Sequence, residues 1–200
     1  MNRAENIAVR RIAGALGAEI SGVDLAAELD EPCVAALRAA WLAHAVIFFR
    51  DQPLSPAAFL AFARRFGEPV EYPFVKGLAE QPEIIPVVKL EHEKVNFGGI
   101  WHSDTAYLER PPMATMLLAR EVPPHGGDTL FANQYLAWES LSDAMQAMLR
   151  PLRCRARGAN ASAAAARAVG LQAWGRRKEA SSHMSLYSAT ATGAGAPTPT

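Results

Sequence analysis

His102 and Asp104 stand two apart in the run Trp101-His102-Ser103-Asp104-Thr105. Where a backbone is extended, residues two apart face one side, so this imidazole and this carboxylate can reach a common point. One imidazole and one carboxylate are two of the three ligands in the 2-His-1-carboxylate arrangement. That arrangement holds non-haem iron(II) and leaves neighbouring positions open for a cosubstrate and dioxygen. The spacing alone discriminates weakly. With five histidines and six aspartates in 200 residues, about one chain in seven of this composition carries His-x-Asp by accident. The bland alternative is a surface histidine beside a turn aspartate, so the surrounding elements have to decide.

Ile7 to Arg10 and Ala18 to Ile20 read as short strands around a turn at Gly14 and Gly17. Asp30 is a helix N-cap with Pro32 in the first turn, where a missing N–H costs nothing. Val34, Leu37, Trp41 and Ala45 recur at helical spacing and predict a helix to about Ala43. Val46-Ile47-Phe48-Phe49 reads as a buried strand. Ser55-Pro56 repeats the cap-plus-proline signal, and Phe59, Leu60, Ala63 and Phe66 line a second helix that Gly67 stops. Ile84 to Leu90 is rich in β-formers despite Pro86, which predicts an edge strand or a bulge. Asn96-Phe97-Gly98-Gly99 is a turn or loop, Met113 to Ala119 a strand and Leu130-Phe131-Ala132 a short strand. From Tyr135 to Leu149 the chain reads as helical, with a restart at Ser142-Asp143. Early helices followed by short strands between glycines and prolines predict an α+β protein built on a β-sandwich or jelly roll.

Two further landmarks follow the pair in order: Pro111-Pro112, then Gly126-Gly127-Asp128-Thr129-Leu130-Phe131. Ahead of it stand Gly17-Ala18-Glu19-Ile20-Ser21-Gly22-Val23-Asp24-Leu25, Val46-Ile47-Phe48-Phe49-Arg50-Asp51-Gln52 and Arg65-Phe66-Gly67-Glu68. Together these resemble the TauD/TfdA family of iron(II)- and 2-oxoglutarate-dependent dioxygenases, over about residues 5 to 153. The resemblance implies a double-stranded β-helix, a jelly roll with flanking N-terminal helices, here incomplete at the C-terminus. It implies His102 and Asp104 as metal ligands and Thr129 as a hydrogen-bond donor to a 2-oxoglutarate carboxylate. On the residues alone, a β-branched residue opening a strand is the favoured reading of Thr129. Asp128 shapes the turn, and Trp101 is expected to pack, since an indole carries a large apolar area. The implied reaction hydroxylates a small organic acid with O2 while 2-oxoglutarate is decarboxylated to succinate and CO2. Taurine-using members place a histidine and a tyrosine just after Phe-Gly-Glu. Here the loop reads Glu68-Pro69-Val70-Glu71-Tyr72-Pro73-Phe74-Val75, so taurine is disfavoured and another sulfonate or carboxylate stays open.

The resemblance also implies a distal histidine as third ligand and an arginine beyond it that clamps the far carboxylate of the keto acid. Nothing after His102 reproduces that context. His183 sits in Ser181-Ser182-His183-Met184 with no arginine after it. His125 lies in a Pro-Pro-His-Gly turn, and His92 and His44 have surface or helix-end explanations.

Charge divides the chain at the same place. Residues 151–200 hold seven basic residues and one acid, so the first 150 hold 13 basic and 19 acidic ones. The last fifty also hold 14 alanines and few large apolar groups, a composition that offsets ordering entropy poorly. The organisation expected is a dioxygenase-like part over 1–153 and a low-complexity, disordered tail over 154–200. A truncated or frame-shifted member would look this way.

The balance of 20 basic against 20 acidic residues argues against a bulk nucleic-acid binder. The arginines between 150 and 157 lack interleaved aromatics for base stacking. No apolar run approaches a membrane span, and no secretory leader is read. Two cysteines, Cys33 and Cys154, make neither a disulfide framework nor a zinc signature, which fits a reducing cytoplasm. Small-molecule partners are expected, no nucleic acid and no membrane, with homo-oligomerisation left open. Two readings stand: an Fe(II)/2-oxoglutarate dioxygenase, or a non-catalytic relative of one acting as a binding protein.

Overall fold

The structure, a computed structural model, describes residues 4–72, 75–89, 101–122, 124–126, 128–153 and 183–191. It divides into two compact units, one of Met1–Gly67 with Leu130–Ala147 and one of Glu68–Thr129 with Met148–Thr200.

In the first unit a three-stranded sheet runs β1 (Ala8–Arg11), β2 (Ala18–Ser21), β3 (Ile47–Phe49). β1 and β2 pair antiparallel across the expected glycine turn, while β2 and β3 are parallel and joined through helix α1 (Glu31–His44). Gly17 sits at φ +95 and donates its N–H to the carbonyl of His44 at 2.8 Å, which ties the start of β2 to the helix end. The Asp30 carboxylate caps α1 by accepting from Cys33 N at 2.8 Å. Helix α2 (Pro56–Arg64) is capped in the same way by Ser55. Its Phe62 ring meets Phe49 and Phe66 edge-on at 5.9 and 5.2 Å. Cys33, Val34 and Leu37 of α1 and Phe59, Leu60 and Ala63 of α2 are buried.

The loop after β2 is fixed by a side chain rather than by a strand. The Gln52 amide accepts from Leu25 N at 2.8 Å and donates to Val23 O at 3.2 Å. Gly22, at φ +79, lies where an added Cβ would meet the Asn6 carbonyl oxygen at 1.8 Å, so only glycine fits that approach.

The helical segment expected from 135 to 149, with its restart at Ser142-Asp143, is two helices, α3 (Gln134–Glu139) and α4 (Asp143–Leu149). Asn133 caps the first through Tyr135 N and Leu136 N. Ser142 Oγ accepts from Met145 N at 3.3 Å at the start of the second. Competing side-chain bonds break the ladder between them, Ser140 Oγ donating to Ala137 O at 2.8 Å and Ser142 Oγ accepting at the next helix start. The short strand expected at Leu130-Phe131-Ala132 does not form. Both large residues are exposed, although the Phe131 ring stands 6.3 Å from that of Phe48.

In the second unit β4 (Glu68–Pro69), β5 (Ile84–Lys89) and β6 (Ala114–Glu121) all pair with β7 (His183–Ala191). β5 lies at the end of its path, the edge position that Pro86 requires. Within residues 154–200, expected as a low-complexity tail, nine residues form β7. His183-Met-Ser-Leu-Tyr-Ser-Ala-Thr-Ala191 contains tyrosine, leucine and threonine, which fit a pleated surface. The remaining tail residues, the loop at 96–99 and Leu90 lie outside the described residues. The β7 pairings are parallel, whereas jelly rolls are antiparallel. What is shown is therefore an α+β chain with N-terminal helices. Among the described residues no helix is long and apolar enough to cross a membrane.

Leu37 is fully buried. Leu37→Ala is expected to cost about 3 kcal/mol, by transfer and cavity terms together, read as a lower urea midpoint with an unchanged slope. The hydrogen bond from Cys33 N holds the Asp30 carboxyl below its ordinary pKa. A depressed carboxyl contributes stability above its unfolded-state pKa and loses it as pH falls through the folded value. Denaturant midpoints taken from pH 5 down to pH 2 should therefore fall less steeply for Asp30→Ala than for wild type.

Candidate metal centre

Trp101, His102 and Ser103 are irregular, and the chain turns over Asp104–Tyr107, where Leu108 N donates to Thr105 O at 3.0 Å. Thr105 takes a left-handed conformation, φ +50. A β-branched residue rarely does so, and then at a steric cost. The turn leaves His102 Nε2 and Asp104 Oδ1 2.9 Å apart. Both side chains are partly open, 46% and 40% exposed. The expected convergence of the two groups is present, although a turn delivers it rather than an extended strand.

Their spacing also fits a shared ion. Nitrogen and oxygen donors bind a divalent first-row metal at roughly 2.1 Å, so two at right angles around one ion lie roughly 3.0 Å apart. The donor set, one imidazole and one carboxylate, suits iron(II). No group of three or more His, Cys, Asp or Glu that could hold a metal occurs among the described residues. His102 and Asp104 would fill two of the three positions of such a face.

Asp104 has a second engagement that the sequence reading missed. Thr115 Oγ1, the second residue of β6, donates to Asp104 Oδ2 at 2.8 Å. The available signal was a hydroxyl within the otherwise apolar run Met113–Ala119. Thr105 was missed as well. It is 5% exposed, and its Oγ1 is buried with no hydrogen-bond partner.

The remaining expectations fare differently. Thr129 is exposed, between Gly126 at φ +81 and Leu130, and Asp128 and His125 are exposed with it. The expectation that Trp101 packs is corrected, since its indole is 61% exposed. The described residues supply no cover for it. His183 lies in β7, and His44 closes α1.

A cleft of about 490 Å³ lies in the same unit, lined by Glu71, Tyr72, Lys76, Leu78 and their neighbours. Gly77 permits its close wall, where an added Cβ would meet Pro82 O at 2.0 Å. Tyr107, three residues after Asp104, donates its hydroxyl to that of Tyr72 at 2.8 Å. The hydrogen bond joins the segment carrying the two candidate ligands to the cleft wall, although neither ligand lines the cleft.

Comparison with known proteins gives one consistent answer. The family model for taurine catabolism dioxygenase TauD, TfdA family, matches residues 8–183. That match runs past 153, where the resemblance had been read to end. An alkylsulfatase of Acinetobacter baylyi is 34% identical over 146 residues, which are 72% of this chain and 45% of the relative. An alpha-ketoglutarate-dependent sulfate ester dioxygenase of Pseudomonas putida is 35% identical over 139 residues, 69% of this chain and 45% of the relative. Among solved structures, a taurine dioxygenase from Burkholderia xenovorans superposes with a TM-score of 0.60 at 34% identity. It covers 73% of this chain and 51% of that one. The chain spans about half the length of the curated relatives it matches.

Removing the unpartnered hydroxyl while keeping the side chain's shape should stabilise the metal-free chain. Thr105→Val is expected to raise the unfolding free energy by about 1 kcal/mol, measured by denaturant titration. A decrease would mean that the hydroxyl has a partner in solution.

Proposed function

The chain belongs to the TauD/TfdA dioxygenase family, and from that premise we propose that it is an Fe(II)- and 2-oxoglutarate-dependent dioxygenase of jelly-roll lineage that hydroxylates a small organic acid. The observation that carries the proposal is the 2.9 Å approach of His102 Nε2 to Asp104 Oδ1 within a matching family segment. In this reading His102 and Asp104 hold the iron, and the Thr129 hydroxyl donates to a carboxylate of 2-oxoglutarate. Bound together, iron and 2-oxoglutarate supply the oxidising chemistry: O2 and the keto acid yield succinate and CO2, and one oxygen atom enters a substrate C–H bond.

The chain's own part is to bind and to orient. An imidazole and a carboxylate on one side of an ion leave its other side to the keto acid and O2. The proposed substrate carries a sulfonate or a carboxylate. The Lys76 ammonium in the cleft supplies a cation for such a group, and Tyr72 a hydroxyl. Glu71 on the same wall opposes a second negative charge and selects for monoanions. The sulfate ester and the taurine in the names of two relatives each carry an anionic sulfur group, a sulfate or a sulfonate. The buried free thiol of Cys33 and the absence of a disulfide framework from the sequence support a cytoplasmic setting.

A second reading, a non-catalytic member that binds small acids, draws on the two-donor centre among the described residues. Anaerobic titration with Fe(II) in the presence of 2-oxoglutarate separates the two. A weak visible charge-transfer band that is absent in His102→Ala is expected for the dioxygenase. A featureless spectrum for the wild-type chain would leave the binding-protein reading.

A further inference from the structure

We infer that Thr115 is a positioning residue that fixes which oxygen of Asp104 faces the metal position. The inference rests on reading His102 and Asp104 as the iron ligands. A carboxylate has two equivalent oxygens, and the terminal torsion of aspartate is broad and roughly two-fold. Asp104 is 40% exposed and sits in a turn, so its own rotamer preference leaves the carboxylate free to rotate. Thr115 Oγ1 removes that freedom by donating to Oδ2 at 2.8 Å, which leaves Oδ1 facing His102 Nε2 at 2.9 Å.

The donor is well placed for this work. Threonine is stiff at χ1, and Thr115 is half-buried in β6, a strand registered along β7 with Thr115 opposite Ser185. Asp104, by contrast, lies in an irregular segment. The hydrogen bond therefore transfers the rigidity of a strand to a ligand carried on a turn. Its acceptor is a carboxylate, which makes it stronger than a bond between neutral groups. Partners of this kind behind a metal ligand typically govern metal affinity by about 10- to 100-fold when removed.

The test uses the full chain and four substitutions. Thr115→Val keeps the shape and the strand preference but lacks the donor, and Thr115→Ser keeps the donor. Carbon-13 labelling of the aspartate carboxyls gives six resonances to follow, one per aspartate; Asp104→Asn identifies which is Asp104. In the metal-free chain that resonance should move in Thr115→Val and stay near its wild-type position in Thr115→Ser. Titration with Mn(II), followed by electron paramagnetic resonance, should show wild type and Thr115→Ser alike and Thr115→Val about 10- to 100-fold weaker. An unmoved carboxyl resonance in Thr115→Val, or undiminished Mn(II) affinity there, overturns the inference. If wild type binds Mn(II) no better than His102→Ala, the iron-site reading fails by itself. The metal-free carboxyl resonance then decides alone whether Thr115 orients Asp104.

Discussion

A carboxylate held by one oxygen, with the other turned toward an imidazole nitrogen, is the constraint on which the candidate centre depends. Three residues create it. Thr105 accepts a left-handed backbone, and the chain turns there so that His102 and Asp104 meet. Thr115 then secures the outer oxygen of Asp104 from a strand. A strained backbone and a buried, unpartnered hydroxyl both occur at Thr105, directly beside the candidate ligand. Strain of this kind persists where the surrounding structure over-determines it, and it gathers at functional sites.

The first unit shows what ordinary packing does with the same chain. Capped helices, a three-stranded sheet and edge-on aromatic contacts bury a core that includes Leu37, Phe59 and Phe62. Its polar groups are largely matched, as the Gln52 clamp on the loop after β2 illustrates. Among the described residues, a buried side-chain polar atom without a hydrogen-bond partner falls in the second unit, at Thr105 Oγ1. Natural chains tend to break local rules where function requires it.

Much of this could be read from residue types. Asp30-x-Pro32 and Ser55-Pro56 located both N-terminal helices because a side-chain acceptor and a missing donor have local physical meaning. The strand at 84–89 was legible despite Pro86, since an edge position tolerates a lost donor. The short strand at 130–132 was misread because apolar β-formers become a strand only when a neighbour pairs with them. β7 was not foreseen, for the opposite reason. Its alanine- and serine-rich surroundings obscure a nine-residue segment whose pairing partners are distant in sequence. At the site, His102 and Asp104 were visible from spacing and context, whereas Thr115 was not. A threonine in an apolar strand looks like any β-branched residue until the turn brings a carboxylate to it.

That pattern bears on how half the length of its relatives can still present a recognisable centre. His102, Asp104 and Thr115 lie within a short stretch of chain, so bringing them together closes only a small loop and its entropy is modest. The two candidate ligands and the residue proposed to orient one of them are therefore a local assembly, set by one turn and one strand. Any distal ligand, and the cationic clamp that a keto acid's far carboxylate requires, would have to come from a distance at which loop closure and strand pairing act together. Local residues can form the half-site without that contribution, and among the described residues no third donor joins it. The two-donor arrangement among the described residues is thus what short-range forces alone should produce, and completing it is a problem of long-range topology.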